Sequence, residues 1–258
     1  MTIAIIGTGN MGGAIVRGLI KSGTCSPKEI ICTAKTQATL DKVLEYDAHI
    51  RVTQNNAETV SSADVVMLAV KPWLIKQVME EILPNIDKQI VVSVAAGVTL
   101  KDLVEISSKG LPFLRVIPNT AVEALCGVTL IAHQGASQEQ VELIQNLFAA
   151  LGYALVVDEK LIPAGTALAS CGIAFAMRYI RAAMEGGVEL GFRPEEAARI
   201  VEHTVKGAAT LLLESGEHPE AAIDRVTTAG GITIKGLNAM EISGFTASVI
   251  DGLKASKV

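Results

Sequence analysis

The segment that most constrains the fold of this chain is a glycine-rich turn close to its N-terminus. An apolar run, Ile3–Ile6, leads directly into Gly7-Thr8-Gly9-Asn10-Met11-Gly12, and a helix-like stretch follows from Met11 to Lys21. The sequence therefore predicts a strand, a tight turn and a helix in immediate succession. This arrangement is typical of a βαβ unit that binds the phosphates of a dinucleotide.

Each glycine of the turn has a physical role in such a unit. Gly7 permits the tight turn, Gly9 lets the backbone approach a pyrophosphate, and Gly12 brings the helix close to the strand. The helix N-terminus adds unpaired N–H groups and the positive end of its dipole. A purely structural turn is the alternative, but the flanking strand and helix favour a cofactor. The predicted contacts are Ile6, Gly7, Thr8, Gly9, Asn10, Met11 and Gly12.

Short β-branched runs alternate with helix-like stretches through the first part of the chain. This alternation predicts a Rossmann-type, doubly wound, mostly parallel α/β domain over residues 1–158. The predicted strands are Ile3–Ile6, Ile30–Thr33, Val65–Val70, Ile90–Val94, Leu114–Val116, Val128–Ile131 and Ala154–Val157. The predicted helices are Met11–Lys21, Gln37–Glu45, Trp73–Ile82, Leu100–Ser107 and Gln138–Leu151.

The pattern changes after residue 158, and the remainder predicts an all-helical domain over residues 159–258. The long first helix is rich in alanine and glycine, which permits close approach of another helix. The sequence leaves open whether that approach is intramolecular or forms a dimer interface. The predicted helices are Ala164–Leu190, Pro194–Glu214, Pro219–Val226, Ile232–Met240 and Phe245–Ser256.

Charge and composition exclude several classes of partner. The net charge is −5 and the chain has no run of lysine or arginine, so we expect no basic patch that would bind nucleic acid. Charges or glycines interrupt each apolar stretch before about 20 residues, so we expect no membrane span. The four cysteines are scattered without metal-ligand spacing, which predicts reduced thiols, no metal site and a cytoplasmic location.

The end of the second predicted strand bears on the choice of cofactor. An acidic residue is usual there in a site that binds NADH, because it bonds the ribose 2′-hydroxyl. Here the first acid is Asp41, inside the next helix, whereas Thr33, Lys35 and Thr36 would suit a 2′-phosphate. The segment favours NADPH, with NADH as the alternative.

Two further strand ends are candidates for the same crevice. Ligands of open α/β sheets bind at the carboxyl ends of the strands, and small residues there let a flat ring approach the backbone. The predicted cofactor contacts at these strand ends are Ala69, Val70, Lys71 and Pro72, followed by Ala95, Ala96 and Gly97.

The chain has no obvious strong proton donor for reducing a carbonyl. None of its four histidines, His49, His133, His203 and His218, follows a predicted strand that faces the glycine-rich turn. A substrate that arrives as a cationic iminium does not need such a donor, because hydride addition neutralises it. The segment 227–233 pairs two glycines with hydroxyl groups ahead of a helix. Its consecutive N–H groups could form a nest that binds a carboxylate. The alternative is that the segment is only the loop that leads into a helix.

At these positions the chain resembles the pyrroline-5-carboxylate reductase family, from Ile3 to about Ser256. The order and spacing of the shared motifs make the resemblance specific. The motifs are the Gly7–Gly12 turn, Asn56 ahead of Ala63-Asp64, Ala69-Val70-Lys71-Pro72, Ala95-Ala96-Gly97, Arg115-Val116-Ile117-Pro118-Asn119-Thr120, Gly172 with Ala174, Thr204 with Gly207, and Gly230-Gly231-Ile232-Thr233.

The resemblance implies hydride transfer from NADPH or NADH to the C=N bond of 1-pyrroline-5-carboxylate, which gives L-proline in the final step of proline biosynthesis. It implies that Asn56 contacts the adenosine side of the cofactor and that 69–72 lie on its nicotinamide side. Glu159 matches an acidic position near the substrate. The resemblance also implies a homodimer through swapped C-terminal helices and a larger ring such as a decamer.

The same resemblance assigns the substrate loop. The N–H groups of Gly230, Gly231 and Ile232 would bind the substrate carboxylate. Thr233 would bond the ring nitrogen or the carboxylate region, and it is the one catalytic residue that we predict.

Two departures from the family pattern keep an alternative function open. The family usually has Ser-Gly-Ser-Gly-Pro-Ala-Tyr where this chain has residues 169–175, and Ser-Pro-Gly-Gly where it has 228–231. A reductase-like paralogue with a regulatory role would fit these changes. A β-hydroxyacid-type dehydrogenase is a third reading, but its catalytic lysine has no counterpart between Leu161 and Val205.

Overall fold

An eight-stranded sheet organises the first part of the computed structural model, which describes residues 1–107 and 109–257. The chain divides into two units, Met1–Ser170, here the sheet unit, and a helical unit from Cys171 onwards. The predicted fold class, a Rossmann-type sheet domain followed by helices, is confirmed.

The strands follow the order of a doubly wound sheet, β3-β2-β1-β4-β5-β6-β7-β8. All neighbours are parallel except β6 and β7, so the sheet is mostly parallel as predicted. The strands are β1 Ile3–Ile6, β2 Ile30–Thr33, β3 Arg51–Thr53, β4 Val65–Leu68, β5 Ile90–Ser93, β6 Phe113–Pro118, β7 Gly127–Gln134 and β8 Gly152–Val156. The prediction missed β3, a three-residue edge strand with one apolar side chain.

Helices cover both faces of this sheet. Alternate residues of β1 enter opposite cores: Ile3 and Ile5 lie in one, and Ala4 and Ile6 in the other. Because both faces are buried, the central strands β1 and β4 are continuous apolar runs without polar alternation. The helices are α1 Asn10–Lys21, α2 Gln37–Tyr46, α3 Asn56–Ser61, α4 Ile75–Ile82, α5 Leu100–Ser107, α6 Gln138–Ala149 and α7 Ile162–Gly165. The prediction missed α3 and began α4 two residues early.

Residues 159–170 pack onto the sheet unit, although the sequence predicts a domain boundary at residue 158. Ile162 is 1% exposed and belongs to the same core as Ala4 and Ile6. The Nδ2 of Asn119 donates a hydrogen bond to the carbonyl oxygen of Ala169 at 3.2 Å. The sheet unit therefore continues to Ser170, beyond residue 158 where the sequence pattern changes from strands to helices.

The helical unit has almost no core of its own. Among its described residues Ala197 alone is buried, whereas Leu213, Ile232 and Ile242 are each more than four-fifths exposed. A unit with so little buried apolar surface needs a further surface to cover it. Its helices are α8 Gly172–Glu189, α9 Pro194–Ser215, α10 Pro219–Arg225, α11 Ile232–Ile242 and α12 Phe245–Ala255.

The helix predicted to start at Ala164 has a more complex beginning. A π-helix, Thr166–Cys171, stands between α7 and α8. By length and composition alone, the helical stretch Glu159–Glu189 is apolar enough to cross a membrane. Its uncharged run, Leu161–Met177, ends at charged residues on both sides and contains Gly165 and Gly172, as the sequence indicates, but these glycines do not end the helix.

The cysteines are free thiols in the described part of the chain. Burial raises the pKa of Cys25 to about 11 and that of Cys32 to about 12, so both stay protonated at neutral pH. Among the residues that the structure describes, no three His, Cys, Asp or Glu side chains form a group that could hold a metal ion.

Candidate functional site

The sheet unit has one point where the strand order reverses. From β1 the chain moves outwards to β2 and β3, then returns to place β4 on the other side of β1. The carboxyl ends of β1 and β4 meet there, and the N–H of Ala69 donates to the carbonyl oxygen of Ile6 at 2.8 Å. Such a reversal is where open α/β sheets bind their ligands.

The glycine-rich turn fills the β1 side of this crevice. Gly7 has φ +96°, and its N–H donates to the carbonyl oxygen of Thr33 at 3.0 Å. A Cβ on Gly12 would lie 2.1 Å from the carbonyl oxygen of Gly7, so the helix and the turn touch. A Cβ on Gly9 would meet nothing within 4 Å, so the space in front of that residue is open.

The first turn of α1 points its backbone donors towards that open space. The helix begins at Asn10 with Gly9 as its N-cap, and no side chain caps it. The N–H groups of Asn10 and Met11 have no partner within the helix because they precede its first hydrogen bond. Open space, free donors and a positive dipole end together fit a pyrophosphate.

The end of β2 is arranged differently from the prediction. Thr33 is 1% exposed, and its hydroxyl donates to the Oδ1 of Asn56 at 2.7 Å. The Nδ2 of Asn56 donates in turn to the Oε2 of Glu81 at 3.0 Å. The Thr33 hydroxyl therefore orients Asn56, and its predicted contact with a 2′-phosphate remains a prediction. Lys35 is exposed at the same end of the sheet.

The loops after β4 and β5 lie side by side at this edge. The N–H of Val94 donates to the carbonyl oxygen of Leu68 at 3.0 Å, which joins the two strands where both end. Ala95 is buried, whereas Ala96 and Gly97 are exposed. The structure thus brings three predicted segments to one edge of the sheet: the glycine-rich turn, residues 69–72 and residues 95–97.

Glu159 has contacts that the sequence did not predict. Its Oε1 accepts hydrogen bonds from the N–H of Leu100 at 2.8 Å and from Nη1 of Arg115 at 3.0 Å. Arg115 is 7% exposed and lies 44 residues away in the chain. The carboxylate therefore neutralises a buried guanidinium and caps the start of α5. A substrate contact of Glu159 remains a prediction.

Replacing Glu159 is expected to destabilise the sheet unit. The substitution Glu159→Ala leaves the buried charge of Arg115 unpaired. It also removes the acceptor of the Leu100 N–H at the start of α5. Because Glu159 is itself partly exposed, we expect a loss of about 2 kcal/mol in the free energy of unfolding, less than for a fully buried pair. Urea unfolding at fixed protein concentration measures this loss. Lys160→Ala, which breaks only an exposed pair with Asp158, is the control and should change stability by less than about 0.5 kcal/mol.

The predicted substrate loop forms a tight turn in the helical unit. The N–H of Gly231 donates to the carbonyl oxygen of Thr228 at 2.9 Å, and Gly230 has φ +71°. The Gly231 N–H is therefore used within the turn, and the predicted contact of this loop with a carboxylate remains a prediction. Helix α11 starts at Ile232, so the N–H groups of Ile232 and Thr233 belong to its first turn, and the Thr233 side chain is exposed.

Comparison with known proteins bears on both units. Residues 159–258 match the family model for pyrroline-5-carboxylate reductase dimerisation, and residues 2–97 match that for coenzyme F420-dependent NADP oxidoreductases. Pyrroline-5-carboxylate reductase 2 of Dictyostelium discoideum is 35% identical, over 98% of this chain and 90% of that protein. The chain belongs to the pyrroline-5-carboxylate reductase family.

Two further similarities agree with this family membership. Pyrroline-5-carboxylate reductase 1 of Dictyostelium discoideum is 37% identical over 98% of this chain, which spans 48% of that longer protein. The solved structure of a pyrroline-5-carboxylate reductase from Coxiella burnetii is 32% identical, with a TM-score of 0.91 over 99% of this chain and 95% of that one. Membership sets aside the β-hydroxyacid-type dehydrogenase reading.

The family also accounts for the exposed apolar surface of the helical unit. The dimerisation model begins at residue 159, so it includes the apolar stretch Glu159–Glu189. This part of the chain is therefore a dimerisation domain, and a second subunit supplies the cover that its helices lack. Between the intramolecular and the dimer interpretations of the small-residue helix, the family favours the dimer.

Proposed function

We propose that this protein reduces the C=N bond of 1-pyrroline-5-carboxylate to L-proline, with NADPH as the hydride donor. The observation that carries the proposal is the contact between Gly7 and Gly12 beside the open space at Gly9, in a chain of this family. A strand end with this shape accommodates a dinucleotide pyrophosphate. The turn that precedes α11 supplies a second anion site, suited to the carboxylate of the substrate.

The residues present fit the cofactor. Asn10 and Met11 would hold the pyrophosphate through their N–H groups, and Asn56 would contact the adenosine side from the position that Thr33 and Glu81 give it. Residues 69–72 and 95–97 would hold the nicotinamide side. When bound, NADPH supplies a hydride to the carbon of the imine.

Lys35 is the residue that we assign to the 2′-phosphate, because the Thr33 hydroxyl faces Asn56 instead. The substitution Lys35→Glu reverses the charge beside that phosphate and should raise the Kd of NADPH about tenfold, which corresponds to about 1.4 kcal/mol. The Kd of NADH should change less than about threefold. Isothermal titration calorimetry measures both constants.

A matched variant separates a local effect from a change in overall charge. Lys42 is exposed on α2, so Lys42→Glu changes the net charge equally and should leave the Kd of NADPH near its wild-type value. An equal loss of NADPH and NADH affinity in Lys35→Glu would contradict the assignment of the 2′-phosphate to Lys35.

The substrate loop would bind the carboxylate and orient the imine. The N–H groups of Gly230 and Ile232 remain available, and the N-terminus of α11 adds its positive dipole end. The Thr233 hydroxyl would bond the ring nitrogen or the carboxylate region. Because the protonated imine already carries a positive charge, this site needs positioning more than a strong acid.

The direct test incubates the purified protein with NADPH and racemic pyrroline-5-carboxylate. The proposal expects a loss of nicotinamide absorbance matched one to one by proline, measured by amino-acid analysis. Cofactor binding without oxidation would support the regulatory paralogue and point to the altered residues 169–175 and 228–229. Oxidation without proline would indicate a different imine substrate.

We also propose that dimers of this protein assemble into a larger ring such as a decamer. The support is the resemblance to the family, together with the extent of exposed apolar surface in the helical unit. Light scattering coupled to size-exclusion chromatography measures the mass against that of the 27.0 kDa chain. A mass of two chains at all concentrations would limit the assembly to the dimer.

A further inference from the structure

Trp73 is the single tryptophan of the chain, and 76% of its surface is exposed. It lies in a one-turn 3₁₀ helix, Pro72–Leu74, between β4 and α4. Ile75, two residues after Trp73, is 1% exposed and anchors the start of α4 in the core. Pro72 restricts the backbone on the other side. The turn is therefore held at both ends while its indole stays outside the core.

This turn stands beside the glycine-rich segment. A Cβ on Gly7 would lie 2.7 Å from Cγ1 of Val70, so the second residue after β4 touches the glycine-rich turn. Trp73 follows Val70 by three residues, and because an extended chain spans at most about 3.6 Å per residue, its backbone lies no more than about 11 Å from that of Val70. The indole is therefore within reach of a dinucleotide that lies across the carboxyl ends of β1 and β4.

We propose that the Trp73 indole stacks on an aromatic ring of the bound dinucleotide and closes the crevice at its β4 side. This inference rests on the proposed cofactor site and adds a binding residue to it. Both the adenine and the nicotinamide offer a flat π-face, and a large exposed indole gains most by covering such a face. Lys71, exposed beside it, adds a positive charge on the side that the phosphates approach.

The single tryptophan makes the inference directly measurable. Titration of the wild-type protein with NADP⁺, which does not absorb the tryptophan emission, should quench its fluorescence. Adenosine 2′,5′-bisphosphate and nicotinamide mononucleotide carry one ring each. The one that quenches identifies the ring on which the indole stacks.

Substitution of Trp73 tests how much the indole contributes to the affinity for the cofactor. Trp73→Ala should raise the Kd of NADPH, measured by calorimetry, between about 5-fold and 100-fold, in the range of base–aromatic stacking. Trp73→Phe keeps a ring and should stay within about threefold of the wild type. Tyr153 is 61% exposed on β8, away from the crevice, and Tyr153→Ala is the matched control without effect on the Kd.

The outcomes separate this inference from the proposed function. If the wild type binds NADP⁺ by calorimetry without quenching, and Trp73→Ala binds NADPH as tightly as the wild type, the stacking role is wrong while the reductase function stands. If the wild type binds neither NADP⁺ nor NADPH, both proposals fail. Quenching together with a weakened Trp73→Ala variant supports the stacking role and the cofactor site, while proline formation tests the reductase function separately.

Discussion

Gly12→Ala is expected to cause the largest loss of cofactor binding of any single substitution in the turn. Its Cβ would stand 2.1 Å from the carbonyl oxygen of Gly7 and 3.1 Å from Cβ of Ala69, so α1 must move away from the turn. Backbone atoms cannot rotate aside as a side chain would, and overpacking of this kind costs about 3 kcal/mol. The Kd of NADPH should rise about 100-fold, as measured by calorimetry.

The next glycine of the same helix provides the control. A Cβ on Gly13 would meet Nη1 of Arg17 at 3.0 Å, which is the end of a flexible side chain. Gly13→Ala should therefore leave the Kd of NADPH within about threefold and stabilise α1 slightly through its helix propensity. Wild-type affinity in Gly12→Ala would show that the close contact between helix and turn does not shape the cofactor site.

Gly230→Val is expected to have the second largest effect, on the substrate. Gly230 has φ +71°, a conformation that costs a residue with a side chain about 1–2 kcal/mol and a β-branched one most. The turn that joins Thr228 to Gly231 would open, and the N–H of Gly230 would leave its place. We expect the KM for the imine to rise at least about tenfold, while the Kd of NADPH stays unchanged, because the residues proposed to bind the cofactor lie in the other unit.

Ala229→Pro keeps the turn and serves as the comparison. Within the described residues, Leu125 alone among non-glycine residues has a positive φ, so Ala229 has the negative φ of the second position in a type II turn. Proline is favoured at that position, and the family usually has it there. The KM of this variant should stay within about threefold. An unchanged KM in Gly230→Val would remove the loop from the substrate site.

Most strands and helices were predictable because their signals are local. The continuous apolar run of Ile3–Ile6 predicts a buried strand, and the glycines after it predict the turn. By contrast, β3 and α3 are short and carry little pattern of their own. Strand β3 exists because Val52 pairs with Cys32 of β2, and α3 begins where the side chain of Asn55 caps it. The partner of β3 lies in another strand and is not visible in the local sequence, whereas the Asn55 cap is a local signal that the prediction missed.

The candidate site was also predictable from the sequence only in part. The sequence places the glycine-rich turn, residues 69–72 and 95–97, and the substrate loop, because each is a contiguous motif at the end of an element. It does not show that Thr33 orients Asn56, that Glu159 neutralises Arg115, or that the Gly231 N–H is used within its own turn. These depend on donors and acceptors in other elements, or on the backbone conformation of the loop.

The sequence by itself determined the class of the two units, the position of the cofactor turn and the family. It could do so because hydrophobic periodicity and glycine conformations act between near neighbours in the chain. Only the tertiary structure decided which polar groups of the site are already bonded, and that Trp73 remains exposed beside the crevice. Hydrogen bonding and burial depend on residues brought together from distant segments, and the order of the strands sets which segments meet.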